Sequence, residues 1–571
     1  MKRCPECRRD YYDNSLSYCL DDGSALLEGP AGAAGREEPE TAVLHGTSAP
    51  GEAATRAQIL TTEAATGSMP DQAPRKRNFA GRRGVAPLAI IGAALLILAG
   101  GFLGYRYFTA SAEINSIAVM PFGNESGNPD VEYLSDGMTE TLINSLSQIP
   151  NMKVKARSLV FRYKGEPIDP KKLGSELGVQ AILTGTVMQR GDQLALNVEL
   201  IDAQTENTIW GNKYERRESD IVTLQSEIAR DVSGKLKARL TSFDAAKIAK
   251  TYTANPEAYQ LYLRGKFSWN KRTGESLKQA VEFYRQAIEK DPNYALAYSG
   301  LAETYVLYSS YDVASADDSM PLGKAAALQA LAIDDSLAEA HSALGFYFSN
   351  YEWNRGDSEK EYRRAIELKP DYSTAHHWLG ADLVYLKRFD ESLAELKHAE
   401  ELDPLSPIIG TNLGDTLVYA RRYDDAIAQY KRVLVRDPNF GSAHRALGWV
   451  YGLAGRYPEA IAETRLALRL RESSSEKGYL GFWLARSGKR DEAVSILDDL
   501  KREAGTEYVQ GYTFALIYIG LGDKDEALNW LEKHMLSHAE TASAYGVAPE
   551  LDDLRSEPRF REMLKRMNLP E

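Results

Sequence analysis

Three cysteines and one aspartate near the N-terminus are the first residues in the chain able to act together. Cys4-Pro-Glu-Cys7 sets two thiolates on one tight turn, which is half of a tetrahedral zinc site. Cys19 follows after eleven intervening residues, and Asp22 stands where a second CxxC would place its closing thiolate. A carboxylate can ligate zinc, so Cys4, Cys7, Cys19 and Asp22 are read as one structural zinc site, against the alternative of a reduced, metal-free head. These are the chain's only cysteines, so no disulfide framework supports the rest of the fold.

Catalytic constellations are missing. None of the eight histidines lies between Ala112 and Ala254, which leaves that stretch without a cysteine nucleophile or a histidine base. GxxxxGK[ST], HExxH and GxSxG do not occur. His376 and His377 are adjacent rather than one helical turn apart, so they cannot offer both rings to one ion. Acid pairs such as Asp317-Asp318 and Asp424-Asp425 read as solvated helix starts. The expectation is a protein that is not an enzyme. A formal charge of -13 also argues against general nucleic-acid binding.

Binding chemistry is better represented, and a repeat must position it. Leu-Gly pairs recur at Leu344-Gly345, Leu379-Gly380, Leu413-Gly414, Leu447-Gly448 and Leu480-Gly481, at spacings of 35, 34, 34 and 33 residues. Pro370, Pro404 and Pro438 follow at the same period, where a missing amide donor stops a helix. Small residues at a helix crossing let two backbones approach, and Tyr284, Tyr362 and Tyr430 fill the gaps beside them. This pattern predicts about eight tetratricopeptide (TPR) helix pairs over 255–540, stacked as a superhelix, with residues 541–571 as a cap. On the first-helix surface facing its hollow the register places Phe346, His377, Tyr385, Tyr419, Arg445, Trp449, Phe482 and Arg486. Aromatic and arginine side chains there would grip a protein or peptide partner, unless they pack between neighbouring repeats. On that reading Trp449 and Arg445 could be replaced without unfolding the array.

Residues 85–105, VAPLAIIGAALLILAGGFLGY, carry no charge and are long enough to span a bilayer as one helix. Arg75, Lys76, Arg77, Arg82 and Arg83 precede them and little beyond Arg106 follows. Positive charge stays inside, so the N-terminus is expected in the cytoplasm and everything after the span outside it. Gly92, Gly100, Gly101 and Gly104 would let two such helices pack as a homodimer. Residues 29–84 are too poor in apolar side chains to form a core and read as a disordered linker with a basic juxtamembrane end.

Residues 112–242 alternate strand and helix signals. SIAVMPF, MKVKARSLVF and the run from AILTGTV to NTIWGNKYE read as strands, with helices over DVEYLSDGMTETLINSLSQI, PKKLGSELG and ESDIVTLQSEIARDVSGKLKARL. The result is an α+β domain of helices on a mixed sheet.

Three resemblances bear on this plan. The stretch CPECRRDYYDNSLSYCLDDGSALL in residues 1–28 resembles a short zinc ribbon. IAVMPFGNESGNPDVEYLSDGMTETLINSLSQIP, LGSELGVQAILTGTV and LIDAQTENTIW resemble the TolB-like amino-terminal domain of bacterial envelope and signalling proteins. That likeness implies a fold and an adaptor-like context, and brings no catalytic residues. NPEAYQLYLRGKFSWNKRTGESLKQAVEFYRQAIEKDP and the ending LDDLRSEPRFREMLKRMNLP resemble bacterial TPR proteins that carry such a domain. The expected fold is thus multidomain: a zinc-ribbon-like head, one transmembrane helix, an α+β TolB-like domain and an all-α TPR solenoid. The expected function is an inner-membrane interaction scaffold, or a sensor coupling the TPR groove to the head.

Overall fold

The structure is a computed structural model. It describes residues 114–236, 241, 248 and 250–570 except 312, 472 and 507, together with the backbone of three two-residue strands near the N-terminus. The chain divides into two compact units, Met1–Ala99 and Gly100–Glu571. In the first, β1 (Lys2–Arg3) pairs antiparallel with both β2 (Asp10–Tyr11) and β3 (Leu27–Glu28). The expected zinc ligands, the linker and the span at 85–105 lie outside the described residues. Among the described residues, no helix is long and apolar enough to cross a membrane.

The second unit opens with an α/β region on a mixed sheet. Its strands are β4 (Ser116–Val119), β5 (Gly123–Asn124), β6 (Lys153–Val154), β7 (Ala181–Arg190), β8 (Gln193–Asp202) and β9 (Thr208–Arg217). The order is β6-β4-β7-β8-β9, with β4 parallel to both β6 and β7 and the last three strands antiparallel. Alternation decides which face of β8 is covered. Leu194, Leu196, Val198 and Leu200 are at most 1% exposed, whereas Asn197 and Glu199 face solvent. Over the sheet lies α1 (Glu132–Leu146), whose helically spaced Leu134, Met138, Leu142 and Leu146 are all buried. One expectation is corrected here. MKVKARSLVF is strand only at Lys153–Val154, and Arg157–Phe161 is a short helix. Pairing with Ser116 and Ile117 ends after two residues, and a helical turn then lets Val160 reach the core.

Eight antiparallel helix pairs follow: 256–290, 295–333, 338–368, 373–402, 407–436, 441–470, 474–503 and 511–536. The glycines work as steric cut-outs. A Cβ on Gly345 would come within 2.7 Å of the Tyr362 ring, and one on Gly414 would collide with Tyr430. Both tyrosines are at most 1% exposed, so the ring fills the space the missing side chain leaves.

Two further contacts shape the unit. Tyr259 and Leu263 on the first helix of the array belong to the same core as α1, so the α/β region and the array share buried surface. Beyond the eighth pair the chain turns back as short 3-10 segments, Glu540–Ala544 and Pro549–Leu554, and a last helix, Pro558–Arg566. Leu551, Leu554, Phe560, Met563, Leu564, Met567 and Leu569 join the core of the later repeats. This return segment is part of the fold as much as any repeat.

Candidate functional site

The return segment crosses the inner face of the array. Glu540 accepts a hydrogen bond from the Ser310 hydroxyl, and His538 Nδ1 lies 2.8 Å from the Tyr351 carbonyl. The His538 ring stacks on Trp353 at 4.6 Å, and Asn568 donates to the Trp353 carbonyl at 3.3 Å. Further along, Glu550 accepts from Tyr512 Oη at 2.7 Å, Trp449 Nε1 at 3.1 Å and Tyr479 Oη at 3.3 Å. Arg421 forks onto both Asp552 oxygens at 2.9 and 3.0 Å, and Arg486 reaches Asp553 at 3.3 Å. Burial pushes the Glu550 carboxyl above its ordinary range.

Residues 538–554 therefore act as a strap that fills the later half of the hollow. What remains is a cavity of about 1060 Å³, with a smaller one of about 280 Å³ on the other side of Glu540. The large cavity is walled by α1 and Arg157–Ser158 of the α/β region, by helices of the repeats as far as the sixth pair, and by Glu540. Ser158 donates to Asp403, and Lys369 Nζ reaches Asn144 Oδ1 at 3.2 Å, so the α/β region is tied to the rim of the array.

The eight residues assigned to the inner face fall in four settings. Phe346, His377, Tyr385 and Arg445 line the large cavity, with Phe346 against Trp378 at 5.0 Å. Tyr419 lines the smaller one, edge-on to Trp449 at 5.3 Å, and Tyr385, Arg445 and Trp449 border it too. Trp449 and Arg486 hold the strap, and Phe482 is 1% exposed against Trp483. The expectation that Trp449 and Arg445 could both be replaced without unfolding the array is revised for Trp449. Trp449 is 3% exposed and already bonded to Glu550, whereas Arg445 faces open volume. Sequence reasoning missed Glu540, Glu550 and Arg272, the last lying in the turn of the first pair, beside the Trp269 ring at 3.6 Å.

Charge on the cavity wall is unevenly satisfied. Glu140 is held by Arg157 at 3.2 Å and Asn270 at 3.0 Å, and Glu339 by Lys369 at 3.1 Å. Asp382 is held by Arg355 at 2.8 Å. Asp403 and Glu540 each accept from a serine, and burial raises both carboxyls. His376 is bound to Glu395 at 2.6 Å and to the Pro370 carbonyl at 3.1 Å. Among the described residues, no group of three or more His, Cys, Asp or Glu could hold a metal ion.

His377 accepts from Asn412 Nδ2 at 2.8 Å, and its pKa is pushed down to about 4 by burial and then by Arg272. His534, 1% exposed, is pushed down to about 3 by burial alone. Both are neutral in the fold. Their folded values lie below the ordinary 6.5, so the unfolded chain takes the proton first. Each therefore contributes stability above pH 6.5 that is lost as the pH falls toward its folded value. By pH 5 the loss is about 2 kcal/mol per histidine. The raised Glu540, Glu550 and Asp415 act in the opposite direction, because the fold favours their protonated forms. In His534→Gln, the slope of urea-unfolding free energy between pH 6 and pH 5 should change by nearly one proton relative to the parent. An unchanged slope would show that His534 is charged in the fold.

The helical half is a tetratricopeptide repeat array, on the evidence of the eight stacked pairs and of a tetratricopeptide-repeat family model that matches residues 411–475. Residues 112–231 match the model described as the second domain of HilA/YgeH-like transcriptional regulators. A Rhizobium meliloti protein provisionally named adenylate cyclase 3 is 31% identical over 248 residues, 43% of this chain and 42% of that one. The transcriptional regulator HilA of Salmonella typhimurium is 21% identical over 303 residues, 52% of each chain. This chain thus spans about half the length of the curated relatives it matches. Pseudomonas aeruginosa pilF is similar in structure at 22% identity and a TM-score of 0.29, over 38% of this chain and 96% of that one.

Proposed function

We propose that the protein is a membrane-anchored adaptor that binds partner proteins through the inner face of its repeat array and carries out no catalysis. One observation carries the reading. The strap and the α/β region cover much of the hollow yet leave Phe346, His377, Tyr385 and Arg445 around open volume. Aromatic and arginine side chains left facing a cavity are the usual anchors of a recognition surface.

The remaining parts complete the proposal. Residues 85–105 are the anchor in a bacterial inner membrane, with the head cytoplasmic and the TolB-like and repeat domains outside. Cys4, Cys7, Cys19 and Asp22 hold zinc, a claim that Co(II) charge-transfer absorption reads directly. Similarity to regulator and cyclase relatives favours a second reading, in which the array senses a signalling partner and the head passes the signal on.

The test is site-specific photo-crosslinking in cells, with benzoylphenylalanine at Phe440 on the cavity rim and, as a control, at Val435, which is 66% exposed. A defined adduct from position 440, absent from 435 and lost with Arg445→Glu, is the expected result. Equal labelling from both positions would remove the inner face as the binding surface. A regulator as the crosslinked partner would select the second reading.

A further inference from the structure

The turns inside the helix pairs carry an unusual set of residues. Arg272, Trp353, Lys387 and Arg421 have φ of 53°, 53°, 59° and 62°, where Gly455, Gly488 and Gly522 occupy the same turn in later pairs. Large side chains are strained in this left-handed region, and a glycine would relieve it. A side chain kept there against that cost points to a use for it. Two of the uses are visible. Arg421 grips Asp552 of the strap through two hydrogen bonds, and Trp353 stacks on His538 of the strap.

Arg272 sits in the equivalent turn and faces the large cavity. It rests on the Trp269 ring at 3.6 Å and makes no ion pair among the described residues, although its charge reaches the buried Glu303. Arg445, on the same cavity, lies over the Tyr479 ring at 5.7 Å; it makes no ion pair among the described residues, and the nearby Asp415, which feels its charge, accepts from the Tyr430 hydroxyl at 2.6 Å. By contrast the carboxylates Glu140, Glu339, Asp382, Asp403 and Glu540 on this wall each have a donor. Two guanidiniums with unused donors, on a wall whose buried acids are satisfied, favour an anion.

The rest of the wall describes what the anion is attached to. Phe346, Trp378 and Tyr385 offer ring faces, and Ile408 and Leu470 stand 41% and 38% exposed at the rim. A volume of about 1060 Å³ suits a small molecule, and the Glu540–Ser310 crossing closes one end to an extended chain. We propose that this cavity binds a small anion carried on a planar ring system, its charge on Arg272 and Arg445 and its ring among Phe346, Trp378 and Tyr385. Because the α/β region and the array both wall the site, such a ligand would brace one against the other. The ligand and the partner proposed above would share Arg445 and this cavity, so the titration is run without partner and crosslinking from position 440 reads partner capture separately.

Isothermal titration of the purified full chain in detergent with 1-naphthoate, phenyl phosphate, uncharged 1-naphthalenemethanol and inorganic phosphate tests it. Saturable one-to-one binding of at least one ring-bearing anion is expected, with the alcohol at least tenfold weaker. Arg272→Gln and Arg445→Gln should each weaken it at least tenfold, and Arg445→Lys should recover part of the loss. Arg465→Gln, an exposed arginine that does not line the cavity, should leave it unchanged. Circular dichroism of each variant separates lost binding from lost structure. No saturable binding by either ring-bearing anion at millimolar concentration, parental affinity in either glutamine variant, or inorganic phosphate binding as tightly as the ring-bearing anions would each overturn the proposal.

Discussion

Glu550→Ala should lower the stability of the repeat array by about 3–5 kcal/mol, although the residue lies outside every helix pair. Its carboxylate is the acceptor for Tyr512, Trp449 and Tyr479, and Tyr512 and Trp449 are themselves no more than 9% exposed. Removing the acceptor leaves three donors without their partner, at about 1–3 kcal/mol for each buried one. Glu550→Gln keeps an amide oxygen in place. Burial already disfavours the charge at this position, so the glutamine variant should cost only about 1 kcal/mol. Urea unfolding followed by tryptophan emission would measure both. Limited proteolysis should cut within 540–560 in the alanine variant and spare the glutamine one. Equal midpoints for the alanine variant and the parent would mean that the strap is not held through this residue. Trp449→Ala removes one of the same donors along with a buried ring, so the two substitutions should combine less than additively.

Asp382→Ala is the second large effect, about 3–5 kcal/mol. Arg355 and Asp382 pair at 2.8 Å with side chains only 7% and 3% exposed. Asp382 also accepts from Ser358 at 2.9 Å and from Ser349. Two guanidinium nitrogens of Arg355, Nε and one Nη, already have no acceptor. Without Asp382 the cation is stranded in the fold. Replacing both partners with Arg355→Met and Asp382→Leu should recover most of the loss, because the charge that needed solvation is gone. A double variant as unstable as Asp382→Ala would show that the damage is to packing. Tyr385 lies 5.2 Å from the Arg355 guanidinium, so this pair also steadies part of the cavity wall.

Some of this was legible from residues close together in sequence. Leu134, Met138, Leu142 and Leu146 announce a helix because their spacing puts them on one face, and all four are buried. Gly345 and Gly414 announce a crossing because a neighbouring tyrosine supplies the bulk the glycine omits. Lys153–Phe161 was misread because its apolar residues fit a strand as well as a helix. The choice fell to how far Ser116–Ile117 could pair with it.

The strap left no local signal. Trp449 and Glu550 are 101 residues apart, and Ser310 and Glu540 are 230 apart. Neither acid has anything around it in sequence to mark it as buried. Periodicity therefore determined by itself that the chain forms stacked helix pairs, since those contacts join neighbours about 34 residues apart at most. Which of those side chains are consumed by the fold and which remain open was decided only when the return segment and the α/β region closed over them. Closure depends on the summed curvature of eight pairs, and no short stretch of residues encodes that sum.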